Sequence, residues 1–166
     1  HNHYPTHLWR NAERFTLEGN PGKATGKQYS HDLFEEEALK FLKENKDRPF
    51  FLYLPFTISH LSLQVPADQT LADYSDLPEA EFTDKSNYFP HPRPRAAYAA
   101  MVNRLDRTIG RISELVKELG LDEQTIILFS SDNGPTFGRL GGADSAFFHS
   151  AGELRGLKGS VYEGGM

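Results

Sequence analysis

The chain has 166 residues, 38% of them hydrophobic and 25% charged, and a net charge of -5, which suits a single domain with its own core. The acidic balance excludes the basic footprint of a nucleic-acid or anionic-membrane partner, and no apolar run reaches the length of a membrane span. There is no cysteine, which excludes disulfides and thiolate metal sites and leaves the compartment open.

Residues 1 to 30 are polar and carry turn signals at Gly19-Asn20-Pro21-Gly22 and Gly26. They contain neither the basic nor the apolar region of a signal peptide. Ser30 and Asp32 can cap a helix in which Phe34, Ala38, Phe41 and Leu42 recur at helical spacing, with Glu35 to Glu37 as a solvated start. Its end is expected near Asn45, because Pro49 follows. Phe50 to Leu54 is short, wholly apolar and rich in aromatics, the pattern of a strand buried on both faces. Residues 61 to 94 show no long period and hold five prolines. They read as a long surface connection, uncommon in a compact domain unless it serves a site.

From about Arg95 an apolar stripe of Met101, Leu105, Ile109, Ile112, Val116 and Leu119 predicts a second helix. Gly120 fits the left-handed position that ends it. Thr125 to Ser130 reads as a second buried strand. Two such strands joined by a long crossover containing a helix predict a right-handed parallel βαβ unit. Beyond residue 134 glycines accumulate, as in loops that bring backbone close to something.

In open α/β sheets ligands sit beyond the carboxyl ends of the strands. His60 follows the first predicted strand, and Asp132 and Asn133 follow the second directly. Carboxylate and amide oxygens suit a hard cation such as calcium or magnesium, but two are too few for a complete site. Asp-Asn-Gly is also a favoured turn composition, so an Asx turn stands beside the cation reading. His60 could bind an anion or protonate a leaving group there. Lys158, flanked by Gly156 and Gly159, could deliver an ammonium to an anion, or could be a solvated loop lysine. Arg155 is a second cation in the same loop, with a possible bidentate role. His149 is a candidate for the pocket mouth. His1, His3 and His7 could chelate a metal by accident. The sequence has no Walker loop, no G-x-G-x-x-G and no G-x-S-x-G.

Three segments then match one family in order and spacing: HDLFEEEALKFLKENKDRPFFLYLPFTISHLSLQVP, YAAMVNRLDRTIGRISELVKELGLDEQTIILFSSDNGP and FFHSAGELRGLKGSVYEGG. Together they span most of residues 30 to 165. The chain resembles the central part of a type I, formylglycine-dependent sulfatase of the alkaline-phosphatase-like superfamily. The implied fold is α/β, a mostly parallel sheet flanked by helices, with residues 1–166 as part of the catalytic domain, truncated at both ends.

The resemblance implies a metal role for Asp132 and Asn133 in one calcium site. It implies that Lys158 holds the sulfate and that His60 contacts it near the leaving oxygen. Loops 61 to 94 and 135 to 152 would flank the substrate. The family's nucleophile, a formylglycine made from Cys or Ser in Cys/Ser-x-Pro/Ala-x-Arg, has no counterpart here, and no Asp-Asp pair occurs. Both are expected upstream of this chain, so the isolated fragment is expected to be inactive. The implied partners are a sulfate-ester small molecule or glycan and the remainder of the sulfatase chain. The implied location is periplasmic or secreted. Two alternatives stand beside this reading: a metal-dependent phosphohydrolase of the same superfamily, and a non-catalytic carbohydrate- or ion-binding module.

Overall fold

A computed structural model describes residues 2–79, 86–136 and 138–166. His1 and residues 80–85 of the long connection lie outside the described residues. The element order is a hairpin, β1 (His7–Arg10) and β2 (Glu13–Thr16), then helices α1 (Ser30–Asn45), α2 (Gln69–Ala72) and α3 (Pro94–Glu118). Single 3₁₀ turns follow at Asp122–Gln124 and Leu140–Gly142. The hairpin pairs His7 with Thr16 and Arg10 with Glu13, closing through Asn11 at a φ of 57°, a conformation asparagine tolerates.

Helix α1 begins and ends where its apolar spacing predicts. Tyr29 is its N-cap, and no side chain bonds there, so the expected capping by Ser30 or Asp32 does not occur. Asp32 instead turns to α3. Helix α3 opens on Pro94, a residue suited to a first turn. Its first free amides, Arg95 N and Ala96 N, donate to the two carboxylate oxygens of Glu79, each at 3.0 Å. That cap comes from the loop rather than from the helix's own flank. Gly120 ends α3 at a φ of 70°, as expected.

Two apolar clusters lie along α3. Ala97, Ala100 and Met101, all fully buried, meet Leu61, Leu63 and Val65 together with Tyr4 and Tyr29. The small alanines let the Leu61–Val65 segment lie close against the helix. Further along, Ile112, Leu115 and Val116 pack on Ala38 and Leu42 of α1. The structure therefore corrects the reading of residues 61 to 94 as surface throughout. Leu61 to Val65 is core on both sides, and even Ser62 and Gln64 are buried. Gln64 is accommodated because its side chain is fully engaged. It accepts from His3 N at 2.8 Å and donates to Ala24 O at 2.9 Å, while its carbonyl accepts the Tyr29 hydroxyl at 2.7 Å.

The two predicted buried strands also need correction. Among the described residues the one ladder is the antiparallel hairpin. Phe50, Leu52, Leu54 and Phe56 pack against the α1–α3 cluster, whereas Phe51 and Tyr53 between them are 88% and 74% exposed. Ile126, Leu128 and Phe129 also face outward. An apolar run is buried on both faces only where both faces are covered, and the described residues supply one layer to the first run.

Polar contacts fasten the helices. Arg104 of α3 donates from Nε and Nη2 to Asp32 of α1, at 2.7 and 2.8 Å, and from Nη1 to Asp68 at 2.7 Å. Those two carboxylates hold the guanidinium pKa above its ordinary value, against the opposing effect of burial. Burial pushes the Asp68 carboxyl up, but Arg104 and neighbouring backbone amides outweigh it and lower it. Glu35 is buried, contrary to the solvated reading of Glu35 to Glu37. It accepts from Thr108 and pairs with Arg111. Fully buried His31 lies 2.9 Å from Thr108 Oγ1 through Nε2. Because the Thr108 hydroxyl donates to Glu35, the imidazole is the donor in that bond.

Two outcomes follow. Arg104→Lys removes the fork that serves two carboxylates and should cost about 1–3 kcal/mol in denaturant unfolding. Arg10→Ala, which breaks an exposed pair with Glu37, should stay within about 0.5 kcal/mol. Burial, partly offset by Asp32 and Glu35, pushes the His31 imidazole down to about 4. Between that value and the ordinary ~6.5 of an unfolded histidine, the unfolded chain binds a proton that the fold excludes. Stability should therefore fall by up to roughly 3 kcal/mol as pH drops through this window, and be unaffected by this group above it. Melting curves of His31→Gln should show a shallower acid slope.

Candidate active site

The candidate residues sit on two loop systems. The first is the turn Thr57–His60, closed by His60 N donating to Thr57 O at 3.0 Å. His60 is half-buried. Its Nδ1 lies 2.5 Å from Leu61 O and its own carbonyl lies 3.0 Å from His3 Nε2. A carbonyl can only accept, so Nδ1 carries a proton. His3 is thereby accounted for: it is buried beneath His60, its pKa lowered first by that burial. His7 hydrogen-bonds Thr6 at 3.0 Å. The chelating reading of His3 and His7 is thus replaced by separate structural contacts, and His1 lies outside the described residues.

The second system joins the loop after Ser130 to the last fifteen residues. Asn133 Nδ2 donates to Asp132 Oδ1 at 2.6 Å, which leaves the amide oxygen and the second carboxylate oxygen as hard donors on one short stretch. Two residues on, Pro135 O accepts Lys158 N at 2.8 Å. This bond sets the Lys158 backbone against the Asp132–Asn133 turn. The approach depends on glycine. A Cβ added at Gly134 would overlap the Gly164 carbonyl, and Gly164 N donates to Arg155 O at 2.8 Å. Arg155 is exposed, with its guanidinium 3.6 Å over the Tyr162 ring and Nη2 donating to the Tyr162 hydroxyl at 2.7 Å. His149 is exposed, at a φ of 49°, in the turns between residues 144 and 152.

The two systems are linked through residues 140–145. Gly141 lies against the Leu61 side chain and Gly142 against Pro94 and Leu63. Ser145 Oγ donates to Thr136 O at 2.7 Å. Asp144 is held by Arg95 at 2.7 Å; burial pushes its carboxyl up, but Arg95, the Phe147 amide and Arg139 together outweigh it and lower it. Arg95 also covers the Phe147 ring at 3.9 Å. The start of α3 thus positions the bridge between His60's segment and the Asp132–Lys158 loops. The link runs through intervening loops rather than through the tips of two parallel strands.

For a cation, Asp132 and Asn133 offer the right donor chemistry in the wrong number. No group of three or more His, Cys, Asp or Glu residues able to hold a metal occurs among the described residues. Sequence reasoning gave His3 another role and missed Gln64 and Tyr88; His3 and Tyr88 adjoin His60, and Gln64 holds His3. The signal that could have found the segment they hold was the alternation Leu61, Leu63, Val65.

A family profile described as Sulfatase matches residues 1–166. A "Sulfatase" of Formosa agariphila is 31% identical over 160 residues, covering 90% of this chain and 24% of the relative. Steryl-sulfatase of Mus musculus is 32% identical, covering 79% and 18%, and Arylsulfatase A of Homo sapiens 29%, covering 83% and 21%. The chain therefore spans no more than about a quarter of these relatives. Among solved structures, the crystal structure of Ps i-CgsB in complex with k-i-k-neocarrahexaose is similar with a TM-score of 0.66 and 28% identity, covering 93% of this chain and 28% of that one.

Gly134→Ala should drive the two loops apart. Hydrogen exchange at the Lys158 amide, protected by Pro135 O, should rise at least about tenfold while exchange in α3 stays unchanged.

Proposed function

This chain belongs to the sulfatase family, and from that premise we propose that it forms part of the catalytic domain of a sulfuric ester hydrolase. The fold is the α/β, alkaline-phosphatase-like one of its solved relatives. The observation that carries the reading is the backbone bond from Lys158 N to Pro135 O. It sets a cation-bearing loop against an Asp-Asn turn, as binding a sulfate beside a metal ion requires.

In this reading Asp132 and Asn133 contribute two oxygens to a calcium ion whose other ligands lie elsewhere in the protein. When bound, the calcium would supply positive charge against the sulfate oxygens, and a formylglycine elsewhere in the protein would supply the nucleophilic hydroxyl. Lys158 neutralises a sulfate oxygen. His60, with Nδ1 committed to Leu61 O, holds a second proton on Nε2. As the ester S–O bond breaks, that proton passes to the departing alkoxide oxygen, giving the free alcohol and a neutral imidazole. Arg155 and His149 belong to the substrate-facing loops, Arg155 through the rigid stack it makes with Tyr162.

A carbohydrate sulfate is the proposed substrate class, supported by the k-i-k-neocarrahexaose held in the similar crystal structure of Ps i-CgsB. No described helix is long and apolar enough to cross a membrane, and a periplasmic or secreted location is proposed on family grounds. Without the remaining ligands and nucleophile, the 166 residues alone should not turn over an aryl sulfate. Against a phosphohydrolase with two transition metals, the amide of Asn133 and the ammonium of Lys158 favour one hard cation and a sulfate.

In the full-length protein, Lys158→Ala and His60→Ala should each lower kcat about 10²–10³-fold. Asp132→Ala should weaken calcium binding, read by titration calorimetry. Wild-type turnover in either of the first two variants would refute their assignment.

A further inference from the structure

We propose that Tyr88 is a positioning residue for His60, setting the imidazole for proton delivery to the leaving oxygen. The inference rests on the reading of His60 given above. The Tyr88 and His60 rings meet edge to face, with centroids 6.3 Å apart and planes at 63°, the arrangement favoured by the ring quadrupole. The Nδ1 contact with Leu61 O fixes the tautomer and holds one edge of the ring. The Tyr88 edge bounds the ring on another side, so a swing out of that hydrogen bond meets the tyrosine.

Tyr88 is held in place from several directions. The next residue, Phe89, donates its amide to the hydroxyl of fully buried Ser62 at 2.8 Å. Ser62 lies two residues from His60 on the core segment, so the tyrosine and the histidine share one anchor. Tyr88 itself packs partly buried against the cluster of Ile58, Leu61 and Met101. Behind it, Arg93 donates to Tyr74 O at 2.8 Å, and Arg93 N to His91 Nδ1 at 3.0 Å. The proline-rich stretch is thus fastened just before α3 begins. A long connection fastened this firmly next to a proton donor has the geometry of a support for that donor.

The test is leaving-group dependence in the full-length protein. A nitrophenyl sulfate departs as a stable phenolate and needs little proton assistance, whereas an alkyl or sugar sulfate needs it. Tyr88→Leu should lower kcat about tenfold on the alkyl or sugar ester and less than about threefold on the nitrophenyl ester. Tyr88→Phe, which keeps the ring edge, should keep the wild-type ratio of rates between the two esters. In a His60→Ala background, Tyr88→Leu should add no further selectivity.

Equal losses on both esters, an effect on KM alone, or no effect in a protein of unchanged melting temperature would overturn the inference. If Tyr88→Leu does not fold, Tyr88→Met, whose flexible unbranched chain can follow the outline of the lost ring, takes its place. The ring-current shift of the His60 ring protons in NMR spectra, expected in the wild type and lost in Tyr88→Met, is the second readout, and its absence in the wild type counts against the proposal. His60→Ala without leaving-group selectivity would sink the underlying reading. His60→Ala with selectivity, beside a flat Tyr88→Leu, would sink this inference alone.

Discussion

Arg104 fixes the relation between the long helix and the rest of the molecule. One guanidinium reaches Asp32 in the first turn of α1 and Asp68 at the start of α2. The apolar contacts between α1 and α3 are made further along, by small and branched side chains that would tolerate sliding. A planar fork with two carboxylates does not tolerate it. One turn on, Thr108, Glu35 and His31 repeat the principle with buried groups. The register of α3 then sets everything hung on its N-terminus: the Glu79 cap, the Arg95–Asp144 pair and the glycine turn under Leu61.

The candidate site is built mostly by backbone. The Asp132–Asn133 turn and the Lys158 loop meet through amide-to-carbonyl bonds and through glycines whose missing Cβ permits the approach. Such a construction positions charge with little side-chain bulk. His60 is supported differently, by packed core on its sequence-distal side and by the His3 ring on its carbonyl. Half the site therefore depends on loop closure and half on the hydrophobic interior.

The helices were legible because their apolar spacing and their ends are local properties. The burial of Glu35 was not read: it shares a face with Ala38 and Leu42, but the run of three glutamates pointed to solvent. Phe50 to Phe56 shows why two-sided burial was not legible. When every residue in a run is apolar, the sequence carries no alternation, and only the packing reveals that Phe50, Leu52 and Leu54 face the helices. The hairpin had a single turn residue, Asn11, to announce it. Asp132, Asn133 and Lys158 stood out through their neighbours in the chain. Tyr88 did not, because its closeness to His60 arises from a bond between residues 62 and 89, a separation that no local pattern encodes.

The outward faces of the two extended runs carry a further consequence. Thr125 to Ser130 is six residues without charge, proline or glycine, and Ile126 and Leu128 are almost fully exposed. Phe51 and Tyr53 present a second such strip. Unpaired extended segments of this composition template intermolecular β-pairing. Handled by itself, this polypeptide should be limited by self-association and precipitation rather than by any weakness in its helical interior.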